Sequence, residues 1–213
     1  MKRKYVILHA IKAVFLNPWC NKLLSLYYSI KFKGIIIVGS KTKINISPNA
    51  KILINGVLYF NKPWNGRQIY PSSLYVGNEG EFVVDDVFIF YSGCDVSINK
   101  CAKLHVKKGY MNDRGRIACF DSISIGSGVK MGEDVIIRDS DNHQIIRDGY
   151  QKIQGITIMD HVWIGMRAMI LKGVCIHEGS IIAAGSLVNK SIPKCTLAGG
   201  VPCKVIRENI EWN

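Results

Sequence analysis

The first 78 residues contain no aspartate and no glutamate. Twelve lysines and arginines lie there, while residues 79–213 balance sixteen bases with sixteen acids, so the net charge of +12 sits in the first third. Such asymmetry points either to a solvated basic surface or to a face that meets an anionic partner. No nucleic-acid recognition motif accompanies it, so nucleic acid is not the expected partner. A bilayer-spanning helix needs roughly 20 apolar residues; the amino-terminal stretch Tyr5 to Leu16 has 12 and is interrupted by Lys12. With no A-x-A site after it, that stretch does not read as a secretory signal. The seven cysteines (Cys20, Cys94, Cys101, Cys119, Cys175, Cys195, Cys203) are odd in number and include no C-x-x-C pair. Buried free thiols in a reducing compartment are therefore expected rather than disulfides. There is no G-x-S-x-G, and no cysteine has a base at a known spacing, which argues against a serine or cysteine nucleophile.

What is present is a repeat of period six. From Ile156 to Ser191 the chain reads ITIMDH-VWIGMR-AMILKG-VCIHEG-SIIAAG-SLVNKS. The third positions are Ile158, Ile164, Ile170, Ile176, Ile182 and Val188; the first are Ile156, Val162, Ala168, Val174, Ser180 and Ser186. This period is neither the 3.6 of a helix nor the 2.0 of a simple strand. It belongs to β-solenoids, in which each hexapeptide is one short strand plus a turn and two side chains point inward. Gly165, Gly173, Gly179 and Gly185 are expected at the corners, where the backbone takes unusual φ.

Upstream the rhythm is ragged. Ile44/Ile46, Ala50/Ile52 and Gly56/Leu58 keep step, a turn-rich loop from Asn61 to Arg67 breaks it, and Leu74/Val76, Gly80/Phe82 and Val96/Ile98 resume. Ile123/Ile125, Val129/Met131 and Val135/Ile137 restore a clean register, but Ile158 follows Ile137 by 21 positions, not a multiple of six. A loop over 138–155 is therefore extruded, and long loops in compact domains are usually functional. Residues 1–33 read as helices broken at Asn17-Pro18, with Val6, Ile7, Ala10, Ile11, Val14 and Phe15 as one apolar stripe and Leu23, Leu24, Leu26, Tyr27 and Ile30 as another. This segment either caps the open end of the solenoid or, with Lys2, Arg3, Lys4, Lys12, Lys22, Lys31 and Lys33 beside it, rests on an anionic membrane surface.

In this register the chain resembles the hexapeptide-repeat O-acetyltransferases, above all the maltose, galactoside and capsular polysaccharide enzymes. The stretch Ala198-Gly199-Gly200-Val201-Pro202-Cys203-Lys204-Val205-Ile206-Arg207-Glu208 is similar to their carboxyl-terminal signature, and Trp163-Ile164-Gly165 and Ala184-Gly185-Ser186 fit as well. The likeness covers roughly residues 104 to 208. It implies an all-β fold, a left-handed parallel β-helix over 34–208 with a helical appendage over 1–33; the handedness comes from the resemblance alone, since it runs against the usual crossover rule. It also implies a homotrimer with active sites between neighbouring subunits.

In the family a histidine at the head of the extruded loop is the catalytic base, and His143 falls there. An imidazole with an unperturbed pKa near 6.5 suits removal of a hydroxyl proton at neutral pH. Asp139 and Asp141 are near enough in sequence to support its other ring nitrogen. Asn112, Asp121 and Asp141 match the substrate side. Met166, Ala184, Asn189, Lys190, Lys204 and Arg207 match the contacts to acetyl-CoA, the three cations having the charge for its phosphates. The family more often has serine at 166 and threonine at 189, so those contacts fall to the backbone here. The implied activity is acetyl transfer to a carbohydrate hydroxyl in surface polysaccharide assembly, in the cytoplasm or at the inner membrane face. A small-molecule acceptor such as serine, a free sugar or an antibiotic hydroxyl is the alternative. A non-catalytic scaffold or a zinc-dependent solenoid using His105, His143 and His161 are the readings outside the class, and no metal is expected.

Overall fold

The computed structural model describes residues 2–65 and 70–213. Two helices, α1 (Lys2–Leu16) and α2 (Lys22–Phe32), precede a continuous succession of short strands. These stack in register into three parallel sheets of nine, seven and six strands. We call them the first face (beginning with Ile35–Val38), the second (Thr42–Ile46) and the third (Lys51–Ile54) of a triangular prism, since the chain visits them in that order, coil after coil. The first face closes with Cys203–Arg207, which runs antiparallel to Leu197–Gly200.

The core is the interior of the prism. All twelve first- and third-position residues of the clean hexapeptides are buried, at 1 % exposure or less. The two serines among them bury their hydroxyls only because each finds an acceptor: Ser180 Oγ donates to Pro193 O at 2.6 Å and Ser186 Oγ to Ala183 O at 2.6 Å. Wider early coils hold larger side chains, with Phe60, Phe82, Phe88 and Phe90 fully buried. Their width explains the ragged rhythm. Ile35 pairs with Val57, 22 positions on, and Gly109 with Val129, 20 on, whereas Trp163 pairs with Ile181, 18 on. Parallel stacking is thus unbroken where the six-residue phase drifts.

Of the four corner glycines expected to need unusual φ, Gly173, Gly179 and Gly185 have φ near 70°, but Gly165 does not. Its requirement is space: a Cβ there would lie 2.6 Å from Ala184 N on the next coil. The equivalent left-handed corner conformation is instead carried by Arg167 (φ 59°) and His161 (φ 55°).

The helices cap the solenoid. Asn21 opens α2 by accepting from Leu24 N at 3.1 Å. Ser25 Oγ accepts from Val38 N at 2.9 Å, and Ser29 Oγ accepts from Ile36 N at 3.0 Å, so two buried hydroxyls satisfy the open edge of the first strand. Leu24, Tyr28 and Phe32 close the end of the core. In the apolar stripes, Ala10 and Val14 are buried, whereas Ile11, Phe15, Leu23, Tyr27 and Ile30 are exposed. The side chains of Lys2, Arg3, Lys4, Val6 and Ile7, and residues Gly66 and Arg67 of the upstream loop, lie outside the described residues.

The cysteines are free thiols: Cys20, Cys94, Cys119 and Cys203 are buried and Cys101 is exposed. Burial pushes the Cys94 thiol up to about 12, so it packs as a small apolar group. Among the described residues no helix is long and apolar enough to cross a membrane.

Candidate active site

Three corners join the faces, and the expected site residues are divided among them. The corner from the second face to the third carries the extruded loop. The strand Ile136–Arg138 still pairs with Met169–Leu171, so the loop proper starts at Asp139 and ends before Ile156. Its neck is a pinched hairpin: Asp141 N donates to Lys152 O at 3.0 Å, Gln154 N to Asp139 O at 3.0 Å, and Ser140 bridges Ile153 in antiparallel fashion. From this neck His143 is carried into solvent, with Ile145 and the fully exposed Ile146 beyond it.

The two aspartates beside His143 have other duties than its support. Asp139 is completely buried and accepts from three successive backbone N–H groups, Phe120 at 2.7 Å, Asp121 at 2.9 Å and Ser122 at 3.0 Å. Burial pushes its carboxyl up from the ordinary value, against the downward pull of those donors. It ties the loop neck to the coil below. Asp141 is tied to the coil above: its carboxylate takes the Lys172 ammonium at 2.6 Å and the Tyr150 hydroxyl. The Lys172 contact first, and the Tyr150 donor second, hold its pKa below the ordinary value. Lys172 also donates to Gln151 O and stands 4.1 Å above the Tyr150 ring. Lys172 and Tyr150 carried no signal in the sequence, since a lysine at a solenoid corner and a tyrosine in a loop are ordinary surface residues. Asp121 lies at this corner too, exposed and accepting from Ser122 Oγ at 2.9 Å, as do Asn189 and Lys190 after Leu187–Val188.

The corner from the first face to the second carries a groove of about 680 Å³. Asn112, Met166 and Ala184 line it together with Glu133, Trp163 and Ile182. Gly132 and Gly165 let the coils stack backbone on backbone here, a Cβ at Gly132 lying 2.6 Å from Met166 N. Asn112 Oδ1 accepts from the N–H of Asp113 at 2.9 Å. Lys204 and Arg207 are exposed on the last strand of the first face.

The remaining histidines lie apart. His105 pairs with Asp85 at 2.5 Å on the third face. His161, at the corner from the third face to the first, stacks on Trp212 with ring centroids 4.1 Å apart and bonds Trp212 O at 2.8 Å. The His105, His143 and His161 rings thus occupy separate elements, and among the described residues no group of three histidine, cysteine, aspartate or glutamate side chains lies close enough to share a metal ion.

Known proteins match this chain in its repeat region. Residues 155–190 match the family described as bacterial transferase hexapeptide (six repeats). The galactoside O-acetyltransferase of Escherichia coli (strain K12) is 35% identical over 111 residues, which cover 50% of this chain and 55% of that protein. Among solved structures, the polySia-specific acetyltransferase NeuO superposes with a TM-score of 0.57 at 22% identity, covering 81% of this chain and 89% of that one, a likeness of fold. The repeat region of this chain is thus similar to the hexapeptide transferases, and its fold to that of a solved acetyltransferase. It spans about half the length of the curated relative it matches.

Proposed function

We propose that this chain transfers an acetyl group from acetyl-CoA to a carbohydrate hydroxyl in surface polysaccharide assembly, with His143 as general base. The observation that carries the reading is the one insertion that leaves the coil spacing between the clean repeats: it lifts His143 into solvent on a neck fixed from below by Asp139 and from above by Lys172. A scaffold alone has no need of an exposed histidine on so firmly held a neck. A hexapeptide-family relative that acts on galactosides supports the sugar acceptor.

In the reaction, an imidazole nitrogen of His143 takes the acceptor hydroxyl proton as that oxygen attacks the thioester carbonyl. The new C–O bond forms, the C–S bond breaks, and the proton passes to the leaving thiolate. A general base of this kind contributes about 10²–10⁴-fold. The groove suits the long arm of acetyl-CoA, with Met166 and Ala184 in its wall, while Lys190, Lys204 and Arg207 are cations for the phosphates. Because acetyl-CoA is the donor, the reaction belongs in the cytoplasm.

His143 and the groove stand on different corners of one prism. The hexapeptide between them spans about 20 Å at roughly 3.3 Å per residue. One chain therefore does not bring its own His143 to its own Asn112, and the working unit is a ring of three copies, with the loop of one against the groove of the next. The exposed Ile146 at the loop tip and Trp163 and Met166 at the groove give that contact its apolar surface.

The test is complementation. His143→Ala and Asn112→Ala are each expected to lower acetyl transfer by about 10²-fold or more. Dissociated and reassembled together in equal amounts, they should recover about a quarter of wild-type activity, the share of interfaces that join an intact loop to an intact groove. Full activity of the His143 variant would overturn the mechanism. No recovery on mixing, with mixed trimers present, would overturn the shared site.

A further inference from the structure

The capping helices use only half of their surface. Ala10 and Val14 of α1 and Ser25 and Ser29 of α2 face the solenoid and are buried. On the opposite side of α1, Leu8, Phe15 and Leu16 are 64 to 69 % exposed. On the opposite side of α2, Leu23 is 83 % exposed, Tyr27 54 % and Ile30 46 %. Positions 8, 11 and 15, and again 23, 27 and 30, recur at the spacing of a single helical face. The two faces are contiguous, because Lys22 at the start of α2 stands 5.0 Å above the Phe15 ring at the end of α1. Seven of the nineteen large apolar side chains exposed among the described residues lie between residues 8 and 30. A solenoid cap needs no such outer surface, and water opposes it.

The charge on this surface has one sign. Lys12, Lys22, Lys31 and Lys33 are exposed beside the apolar residues, and among the described residues none of them is in an ion pair. No acid exists anywhere in residues 1–78 to supply one. Lys31 stands 5.6 Å above the Tyr27 ring, so its ammonium is held at the rim of the exposed aromatic patch. Exposed apolar side chains ringed by lysines whose counter-charges must come from outside fit one occupant best: the interface of a bilayer with anionic headgroups, which takes the rings and aliphatic tips below the headgroup level and the ammonium groups at it. A second copy of the chain fits less well, since the same patch on both partners would set lysine against lysine.

We infer that the outer face of α1 and α2 is a docking surface for an anionic lipid bilayer, and that it holds the solenoid by its first coil against the membrane. Such docking places the loop and groove corners, several coils away, over lipid-borne acceptors without any membrane span.

The experiment is vesicle co-sedimentation of the full-length protein with phosphatidylglycerol–phosphatidylcholine vesicles, and with phosphatidylcholine vesicles alone, at low and high salt. Binding is expected only to the anionic vesicles, with release at high salt because the attraction is screened. Each charge near such a surface is worth about fivefold in partitioning, so replacing Lys12, Lys22, Lys31 and Lys33 together by Glu should weaken binding by more than about 10²-fold. Phe15→Ser with Leu23→Ser should weaken it independently while keeping the salt dependence. Both variants leave the inner, capping face intact, so their melting temperatures and their acetyl transfer to a water-soluble acceptor should match wild type. Equal binding to neutral vesicles, no binding at low salt, or undiminished binding by the lysine variant would overturn the inference. So would a lysine or Phe15/Leu23 variant whose oligomeric state differs from wild type, because that result assigns the face to another copy of the chain.

Discussion

Asp139→Ala removes the acceptor for three backbone N–H groups at once, at 2.7, 2.9 and 3.0 Å, in a site with no exposure. A buried donor left unmade costs about 1–3 kcal/mol. Three of them, with some relief from water entering the space of the lost carboxylate, come to roughly 3–5 kcal/mol. For a domain of this size each kcal/mol moves the melting temperature by about 2–4 °C, so a fall of about 6–20 °C is expected. Asp139→Asn keeps one oxygen and should lose less than Asp139→Ala. The assay is thermal unfolding at one fixed protein concentration, because assembly itself stabilises, with Asp121→Ala as the exposed control from the same corner. A fall below about 2 °C in Asp139→Ala would refute the reasoning. Loss of activity without loss of stability would refute it in another way, by giving Asp139 to His143 as its partner rather than to the coil below.

Lys204→Gln with Arg207→Gln is expected to raise the KM for acetyl-CoA about tenfold, the scale of losing charge-assisted contacts to phosphate, while the acceptor KM stays within twofold; steady-state kinetics with both substrates varied decides it, and a change confined to the acceptor would remove these residues from the donor site. For Asp141 the folded-state pKa lies below the ordinary value, so its contribution is fully present above the unfolded pKa of about 3.9 and fades only as pH falls through the folded value. A carbon-13 titration of its carboxyl group should give a midpoint below about 3.9 that rises in Lys172→Met; an unmoved midpoint would mean that Lys172 does not hold the loop.

The solenoid was legible because its core is a column. A side chain that must stack on the residue above and below at every coil, as Ile158, Ile164 and Ile170 do, imposes a period no other fold shares. Between Ile35 and Ile98 the column persists with buried Phe60, Phe82 and Phe90, yet coils of 22 residues, and of 30 where the loop enters, displace it from the run of 18-residue coils. Period alone cannot see that, because the extra residues enter strands and corners without disturbing parallel pairing. The cap was half legible: apolar stripes marked both helices, but which side faces the core depends on Ser25 and Ser29, polar residues that a hydrophobic pattern assigns outward.

The sequence named candidate site residues one by one, but not their arrangement. The loop that carries His143 stood out because its insertion breaks a strong period, whereas Met166 and Ala184 were named by the family resemblance alone. What the sequence conceals is that corners recur every six residues, so residues near in sequence face different directions while residues 20 or more apart share an edge. Lys172 follows Asp141 by 31 positions and still meets it at 2.6 Å, whereas Asn189, five positions after Ala184, has already turned onto the next corner. His143 and the Asn112 groove likewise stand at different corners of one chain. A second prism laid beside the first needs only to offer its groove corner to the loop corner of its neighbour for the two halves to meet, and a three-fold ring makes that contact identical at every interface. The proposed dependence of activity on assembly follows from this geometry, because one chain of a triangular solenoid can place many groups along an edge but cannot fold two edges onto each other.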